Sequence, residues 1–156
     1  MRISLHDFGG YPYPFALSKA LAARGHAVQH VYCASHETTP AGDFSSEDHG
    51  IPALDVRPLR LRETLDKFSL VKRRKQEREY GVLAADATAQ FKPDVVLSAN
   101  MPLDAQERLQ QTCRAARYRF VFWVQDLIGV AAHRILRRKL WLAGDLVGRY
   151  YVGMER

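Results

Sequence analysis

The chain has 156 residues, of which 47% are hydrophobic and 26% are charged, and it carries a formal net charge of +6. This composition predicts one globular domain with a hydrophobic core, and no low-complexity segment or internal repeat interrupts it. No run of about 18 apolar residues is present, so a transmembrane helix is not expected. The two cysteines, Cys33 and Cys113, favour a reducing cytoplasm, and a single disulfide in an exported protein is the alternative.

Strand and helix patterns alternate along the chain. A glycine- and proline-rich turn follows the first strand, and Gly25 is expected to end the first helix in the left-handed conformation. The predicted strands cover residues 2–6, 27–33, 54–58, 93–99 and 119–124. The predicted helices cover residues 14–24, 65–91, 104–117 and the stretch from 130 onward, and residues 34–51 form a long loop. This alternation predicts an α/β fold with a Rossmann-like, doubly wound parallel sheet and helices on both faces.

The candidate ligand-binding residues lie in the loops that follow three of these strands. Parallel strands end at a common edge, and ligands of doubly wound sheets bind there. After the first strand, Gly9 and Gly10 allow a ligand to approach the backbone beside a helix N-terminus, which attracts negative charge. A tight turn without a ligand is the alternative. Because the GxGxxG pattern is absent, binding of a nicotinamide or flavin dinucleotide is disfavoured.

Polar residues also surround the ends of the other strands. Asp126 follows an apolar strand, where a carboxylate can orient a substrate hydroxyl or accept its proton, and where it can equally cap the next helix. Further residues expected at the same rim are His6, Asp7, Asn100 and Asp104. His133, which has three arginines nearby, is more typical of a structural histidine. No zinc, P-loop or nucleophile-elbow motif is present, so neither a metal nor a cofactor is expected.

The positive charge is concentrated in two segments. Residues 57–79 contain nine basic and four acidic residues, and residues 130–156 contain six basic and two acidic residues. Solvated helix faces explain both segments most simply, and an anionic membrane surface, an anionic substrate or nucleic acid are the other interpretations. No nucleic-acid-binding motif is present, so nucleic acid is not an expected partner.

Three parts of the chain resemble landmarks of a known enzyme family. The Asp-Phe-Gly-Gly sequence at 7–10, followed by residues 17–28, is similar to the opening of retaining glycosyltransferases of the GT-B architecture, and of the GT4 family in particular. Lys-Pro-Asp-Val-Val at 92–96 and Phe-Trp-Val-Gln-Asp at 122–126 resemble later landmarks of the same N-terminal half. Residues 123–130 are similar to bacterial members that build surface polysaccharides or exopolysaccharides.

This resemblance implies that residues 1–156 form one acceptor-side domain, and that the C-terminal domain for the sugar nucleotide is absent from the chain. Many members carry histidine where this chain has Gln125, which leaves Asp126 as the better candidate for proton transfer. The resemblance therefore gives the catalytic role to Asp126. The residues expected to bind substrate are Gly9, Gly10, Asn100 and Gln125.

These features together predict half of a glycosyltransferase that transfers a sugar from a nucleotide-sugar donor to a hydroxyl acceptor with retention, the chain alone being inactive. The acceptor is expected to be a glycan or a lipid-linked molecule. Apolar side chains among the basic segments suit attachment to the anionic inner face of a membrane. These side chains are Phe68, Leu70, Trp141 and Tyr150. The alternative is a stand-alone Rossmann-like module that binds a small molecule without catalysis.

Overall fold

The computed structural model describes residues 1–36, 50–66, 68–99, 101–124 and 128–154. Most of the predicted loop at 34–51 lies outside these ranges. The chain divides into two compact units, Met1–Trp123 and Val124–Arg156, which are treated separately below. Among the described helices, none combines the length and apolar character needed to cross a bilayer.

The first unit contains a sheet of five strands that are all parallel. The strands are β1 (Arg2–Asp7), β2 (Ala27–Cys33), β3 (Leu54–Leu59), β4 (Val95–Ala99) and β5 (Arg119–Trp123), in the order β3-β2-β1-β4-β5. The chain adds strands outward from β1 to β3 and then returns to the other side of β1 with β4. The direction of winding therefore changes between β1 and β4, and such a switch point opens a crevice at the carboxyl ends of the strands.

Helices cover both faces of this sheet, as the sequence predicts. The helices of the first unit are α1 (Pro12–Ala23), α2 (Leu70–Phe91) and α3 (Leu103–Ala116). Side chains of β2 alternate between the two faces, because successive residues of a strand point in opposite directions. Tyr32 packs with Phe15 of α1, whereas Val31 packs in the larger core with Tyr80 of α2 and Leu109 of α3. The doubly wound, Rossmann-like fold is therefore confirmed.

The helix boundaries follow local capping. Gly25 has φ of +84°, so the left-handed residue expected after α1 is confirmed. Helix α2 begins five residues later than predicted, at Leu70. The reason is that Asp66 Oδ1 accepts the backbone N–H groups of Phe68 and Ser69, each at 2.8 Å, and this turn competes with the helix. Ser69 then caps the helix, since its side chain accepts the N–H of the third helical residue.

In the second unit, the helix α4 (Ile128–Met154) folds back on itself. The Nε2 atom of His133 lies 2.8 Å from Oδ1 of Asp145, although twelve residues of straight helix would separate them by about 18 Å. A Cβ atom added to Gly148 would lie 2.7 Å from the Cα of His133. The two ends of α4 therefore pack closely where glycine leaves room, and the helical segment forms a hairpin rather than one rod.

Candidate functional site

The strands β1, β4 and β5 end side by side at the carboxyl edge of the sheet. In the register of the sheet, Asp7 pairs with Ala99, and Ala99 pairs with Trp123. The loop with Gly9 and Gly10 leaves from this row, at the switch point of the fold. The adjacency of these strand ends is what a shared ligand rim requires.

Three of the predicted site residues lie outside the described residues. They are Asn100, Gln125 and Asp126. Asn100 directly follows Ala99 in the sequence, and the other two follow the end of β5 after one intervening residue. Their substrate-binding and catalytic roles therefore stay predictions.

The glycine turn after β1 is held by the carboxylate that precedes it. Asp7 is fully buried, and its Oδ1 and Oδ2 accept the N–H groups of Gly9 at 3.2 Å and Tyr11 at 2.5 Å. The N–H of Gly10 donates to the backbone carbonyl of Asp7 at 3.4 Å. The amides that the sequence offers to an anion are thus engaged within the turn, and a bound phosphate would meet the negative charge of Asp7. The geometry favours Gly9 and Gly10 as turn residues over anion ligands.

Both glycines are also required by the backbone and by the packing of the turn. Gly10 has φ of +66°, where a side chain causes strain. A Cβ atom on Gly9 would collide with the ring of Tyr11, with 2.7 Å to its Cδ2 atom. The close approach that the sequence suggested at Gly9 is made by this tyrosine ring. Substrate contact at either glycine stays a prediction.

Three aromatic side chains lie together at the same edge. The rings of Tyr11 and Tyr13 stack with centroids 5.7 Å apart and an interplanar angle of 26°. Tyr13 meets Trp123 edge to face, with centroids 5.8 Å apart and an angle of 70°. Tyr11 and Tyr13 are 38% and 45% exposed. The sequence analysis predicts only a glycine- and proline-rich turn at the Tyr-Pro-Tyr-Pro segment. The feature that points to the aromatic cluster is the alternation of aromatic residues with proline directly after the first strand.

His6 does not belong to the ligand rim, so that interpretation is wrong. Its side chain is fully buried, and its Nε2 atom lies 3.0 Å from Ser4 Oγ and 2.9 Å from Thr88 Oγ1. Burial, together with the nearby His30, lowers the pKa of His6 to about 3. His6 is therefore a neutral core residue that joins β1 to α2.

Asp104 is also structural, which corrects its assignment to the rim. Its side chain is only 6% exposed and contacts Nε of Arg74 at 3.1 Å and Nε of Arg78 at 2.9 Å. Since both arginines belong to α2, the carboxylate ties the first turn of α3 to the neighbouring helix. A carboxylate engaged by two guanidinium groups is a poor candidate for proton transfer at a strand end.

His133 behaves as the structural interpretation expects. It contacts Asp145 within the α4 hairpin, and Asp145 also contacts Nε of Arg149 at 3.1 Å. The hydrogen bond from His133 holds the pKa of Asp145 below its usual value, and Arg149 acts in the same direction. These groups stabilise the hairpin and show no geometry that would hold a ligand.

The two cysteines lie in the core. Cys33 and Cys113 are free thiols in the core, and burial raises the pKa of each to about 11. Both are therefore neutral thiols with little nucleophilic character. Within the described ranges, no group of three His, Cys, Asp or Glu residues is placed to hold a metal ion.

Comparison with known proteins reveals similarity of fold without similarity of sequence. No family model matches the chain, and no curated protein matches it. The C-terminal domain of the PF1911 hydrogenase from Pyrococcus furiosus superimposes with a TM-score of 0.56 at 11% identity, covering 79% of this chain and 89% of that one. UGT89C1 from Arabidopsis thaliana, complexed with UDP, gives a TM-score of 0.52 at 9% identity over 95% of this chain. The glycosyltransferase VinC, in complex with dTDP, gives 0.44 at 13% identity, covering 78% of this chain and 34% of that one.

These likenesses concern the fold alone. The same Rossmann-like arrangement occurs in a hydrogenase domain and in a glycosyltransferase, so the architecture by itself does not select a reaction. The chain spans 42% of the length of UGT89C1. It therefore shares a Rossmann-like fold with part of a glycosyltransferase.

Proposed function

We propose that this chain is the acceptor-binding N-terminal domain of a GT-B glycosyltransferase, and that a second domain binds the nucleotide-sugar donor. The observation that carries the proposal is the match of 95% of this chain to 42% of a UDP-bound glycosyltransferase. The row of strand ends Asp7, Ala99 and Trp123 supports it, because the loops with the candidate residues start there. The resemblance of the sequence to the GT4 family adds the expectation of a retaining mechanism.

In this proposal, the domain supplies the acceptor side of the reaction. The acceptor hydroxyl attacks the anomeric carbon of the donor sugar from the face that the departing diphosphate leaves, which retains the configuration. Asp126 orients that hydroxyl or accepts its proton, and Asn100 and Gln125 bind the acceptor. Because Asp7 engages the amides of the glycine turn, the diphosphate is assigned to the second domain rather than to this turn.

The proposed acceptor is lipid-linked and belongs to the synthesis of a bacterial surface polysaccharide. An apolar tip at the start of α2 supports an encounter with a membrane, since Phe68 is 95% exposed and Leu70 is 84% exposed. Val71 is exposed beside them, and Lys72 and Lys75 follow on the helix. Apolar side chains that enter the interface while lysines meet anionic headgroups are typical of peripheral attachment.

The second candidate function is a stand-alone binding module. The hydrogenase domain favours it, because that domain matches over 89% of its own length. The same fold therefore occurs in a protein that is not a glycosyltransferase. In this case the edge of the sheet would bind a small molecule and no sugar would be transferred.

Binding and turnover assays test whether the nucleotide-sugar donor is bound by another domain. The 156-residue chain is incubated with UDP- and dTDP-sugars and polyprenyl-phosphate-linked acceptors, and we expect no glycoside product. In saturation-transfer NMR, we expect acceptor glycans to receive magnetisation and UDP to receive little. Product formation by the chain alone, or binding of UDP in preference to every glycan, would contradict the assignment of the donor to another domain.

Membrane attachment is tested by sedimentation with vesicles. We expect the chain to sediment with vesicles that contain phosphatidylglycerol and to be released by salt, because exposed charges are screened over about 10 Å at 0.1 M. Replacing Phe68 and Leu70 with serine should abolish the binding. Val82→Ser is the matched control, since Val82 is an exposed apolar residue on α2 away from the tip. Equal binding to neutral and anionic vesicles would refute this surface.

A further inference from the structure

The rings of Tyr11, Tyr13 and Trp123 form a cluster beside the glycine turn, here called the aromatic platform. Gly9 has no side chain, and this leaves the space that the ring of Tyr11 occupies. Pro12 separates the two tyrosines and lies in the first turn of α1, where a proline fits without loss of a hydrogen bond. The turn therefore fixes the tyrosines at the start of a helix and holds them in a stack.

The platform spans the crevice of the sheet. Tyr13 belongs to the start of α1, which follows β1, and Trp123 ends β5. The strand β4 lies between β1 and β5, so the contact of these two rings bridges the row of strand ends at the switch point. A ligand bound at these strand ends would therefore lie beside the rings.

The exposure of the tyrosines distinguishes them from the other aromatic residues of this edge. Phe8 and Tyr80 lie edge to face with centroids 4.9 Å apart and are buried in the core. Tyr11 and Tyr13 remain 38% and 45% exposed, although each ring buries a large apolar area when it is covered. Rigid aromatic side chains of this kind contribute contact area at low entropic cost, and their hydroxyl groups can bond to a polar partner.

We propose that the platform of Tyr11, Tyr13 and Trp123 binds a sugar ring of the acceptor by stacking, an inference that rests on the proposed function and names the chemistry of its acceptor site. A pyranose has one face of C–H groups and a rim of hydroxyls. The C–H face matches the electron-rich faces of the rings, and the rim matches the tyrosine hydroxyls. The neighbouring carboxylate of Asp7 opposes a phosphate, so a neutral ring fits this edge better than an anionic group does.

Fluorescence of Trp123 tests the platform without any assay of activity. The chain contains one other tryptophan, which Trp141→Phe removes. This single-tryptophan protein is titrated with cellotetraose, maltotetraose, chitotetraose and galactotetraose, and with uridine in parallel. We expect saturable quenching or a blue shift with at least one tetrasaccharide. No response to any tetrasaccharide would overturn the proposal, and so would a response to uridine that exceeds the response to the sugars.

Three variants test whether the stacking is responsible. Tyr13→Ala should raise the dissociation constant for the responding sugar about tenfold, which is the size of an aromatic contact. Tyr13→Phe keeps the ring and loses only the hydroxyl, so it should raise the dissociation constant less than Tyr13→Ala does. Val82→Ala is the control, since it shortens an exposed apolar side chain of α2 outside the platform. Equal affinity of the alanine variant and the parent protein, with both folded by circular dichroism, would refute the stacking.

The same variants separate this inference from the proposed function. In a protein that contains the donor domain, Tyr13→Ala should raise KM for the acceptor and leave KM for the donor unchanged. If transfer proceeds with an unchanged acceptor KM, the platform is refuted while the glycosyltransferase stands. If the sugar binds with the predicted dependence on Tyr13 and no transfer occurs with any donor, the platform stands while the glycosyltransferase is refuted.

Discussion

The two faces of the sheet are constructed differently. On the face covered by α2 and α3, polar groups take part in the packing. The contact of His6 with Thr88 joins the sheet to α2, and the contact of Asp104 with two arginines joins α3 to α2. On the face covered by α1, apolar packing dominates, and one buried polar contact is the 2.9 Å approach of Ser18 Oγ to His30 Nδ1. The candidate site belongs to the α1 layer, because α1 begins at the glycine turn.

This difference has a physical consequence. A polar contact in a core has a strict geometry, and losing one partner leaves a costly unsatisfied group. The sheet is therefore fixed to α2 at His6, and α2 is fixed to α3 at Asp104. The position of α1 depends instead on packing and on the turn that Asp7 holds. We expect changes in the α2–α3 layer to alter stability strongly, and changes in the α1 layer to alter it less.

The largest effect is expected from acid at His6. The pKa of His6 is about 3 in the folded protein and 6.5 in the unfolded chain. Above pH 6.5, His6 is neutral in both the folded and the unfolded state. Between pH 6.5 and 3, only the unfolded chain binds the proton, so the free energy of unfolding falls as the pH falls. At pH 4.5 the loss is about 2–3 kcal/mol, from about 1.4 kcal/mol for each pKa unit. Urea denaturation at pH 7 and 4.5 measures it.

A variant isolates this contribution of His6 from that of the carboxylates. His6→Gln keeps a polar group near Ser4 and Thr88 but cannot titrate. From pH 7 to pH 4.5, its free energy of unfolding should therefore decrease by about 2–3 kcal/mol less than that of the parent protein. His26→Gln is the control, because His26 lies between α1 and β2 and is only partly buried. Parallel pH dependence of His6→Gln and the parent protein would show that His6 is not buried as described.

The elements of the sheet could be predicted from the sequence, and the sites could not be predicted to the same extent. All five strands were found within two residues at each end, because short runs of apolar and β-branched residues bounded by turns are a strong signal. The start of α2 was missed, since the apolar spacing continues through Leu65 and the competing turn depends on one side chain, Asp66.

Residue type alone could not separate buried polar groups from groups at the rim. His6 and Asp7 end the same strand, yet one faces Thr88 in the core and the other turns to the backbone of the loop. The contact of Tyr13 with Trp123 joins residues far apart in the sequence, and no local pattern predicts it. The hairpin in α4 was missed for the same reason, because its helical pattern continues on both sides of the reversal.

An intermediate effect is expected from the removal of Asp104. Asp104→Ala separates α3 from the two arginines of α2, and we expect a loss of about 2 kcal/mol, since charge-assisted contacts to a buried carboxylate are among the stronger ones. The arginines themselves reach the solvent, which limits the loss. Asp86→Ala removes an exposed carboxylate of α2 and should cost little. If both variants unfold at the same urea concentration, the tie between the helices contributes nothing.

The smallest effect is expected from Ser18, in the α1 layer. Ser18→Ala removes the hydroxyl that lies 2.9 Å from His30 and leaves the apolar packing of Phe15 against Tyr32 in place. A single buried hydrogen bond contributes about 1 kcal/mol, so the loss should be about half that of Asp104→Ala. Sugar-dependent fluorescence of Trp123 should remain, because the glycine turn is anchored by Asp7 rather than by Ser18. A loss as large as that of Asp104→Ala would mean that α1 is held by this one contact, and the contrast between the two faces would disappear.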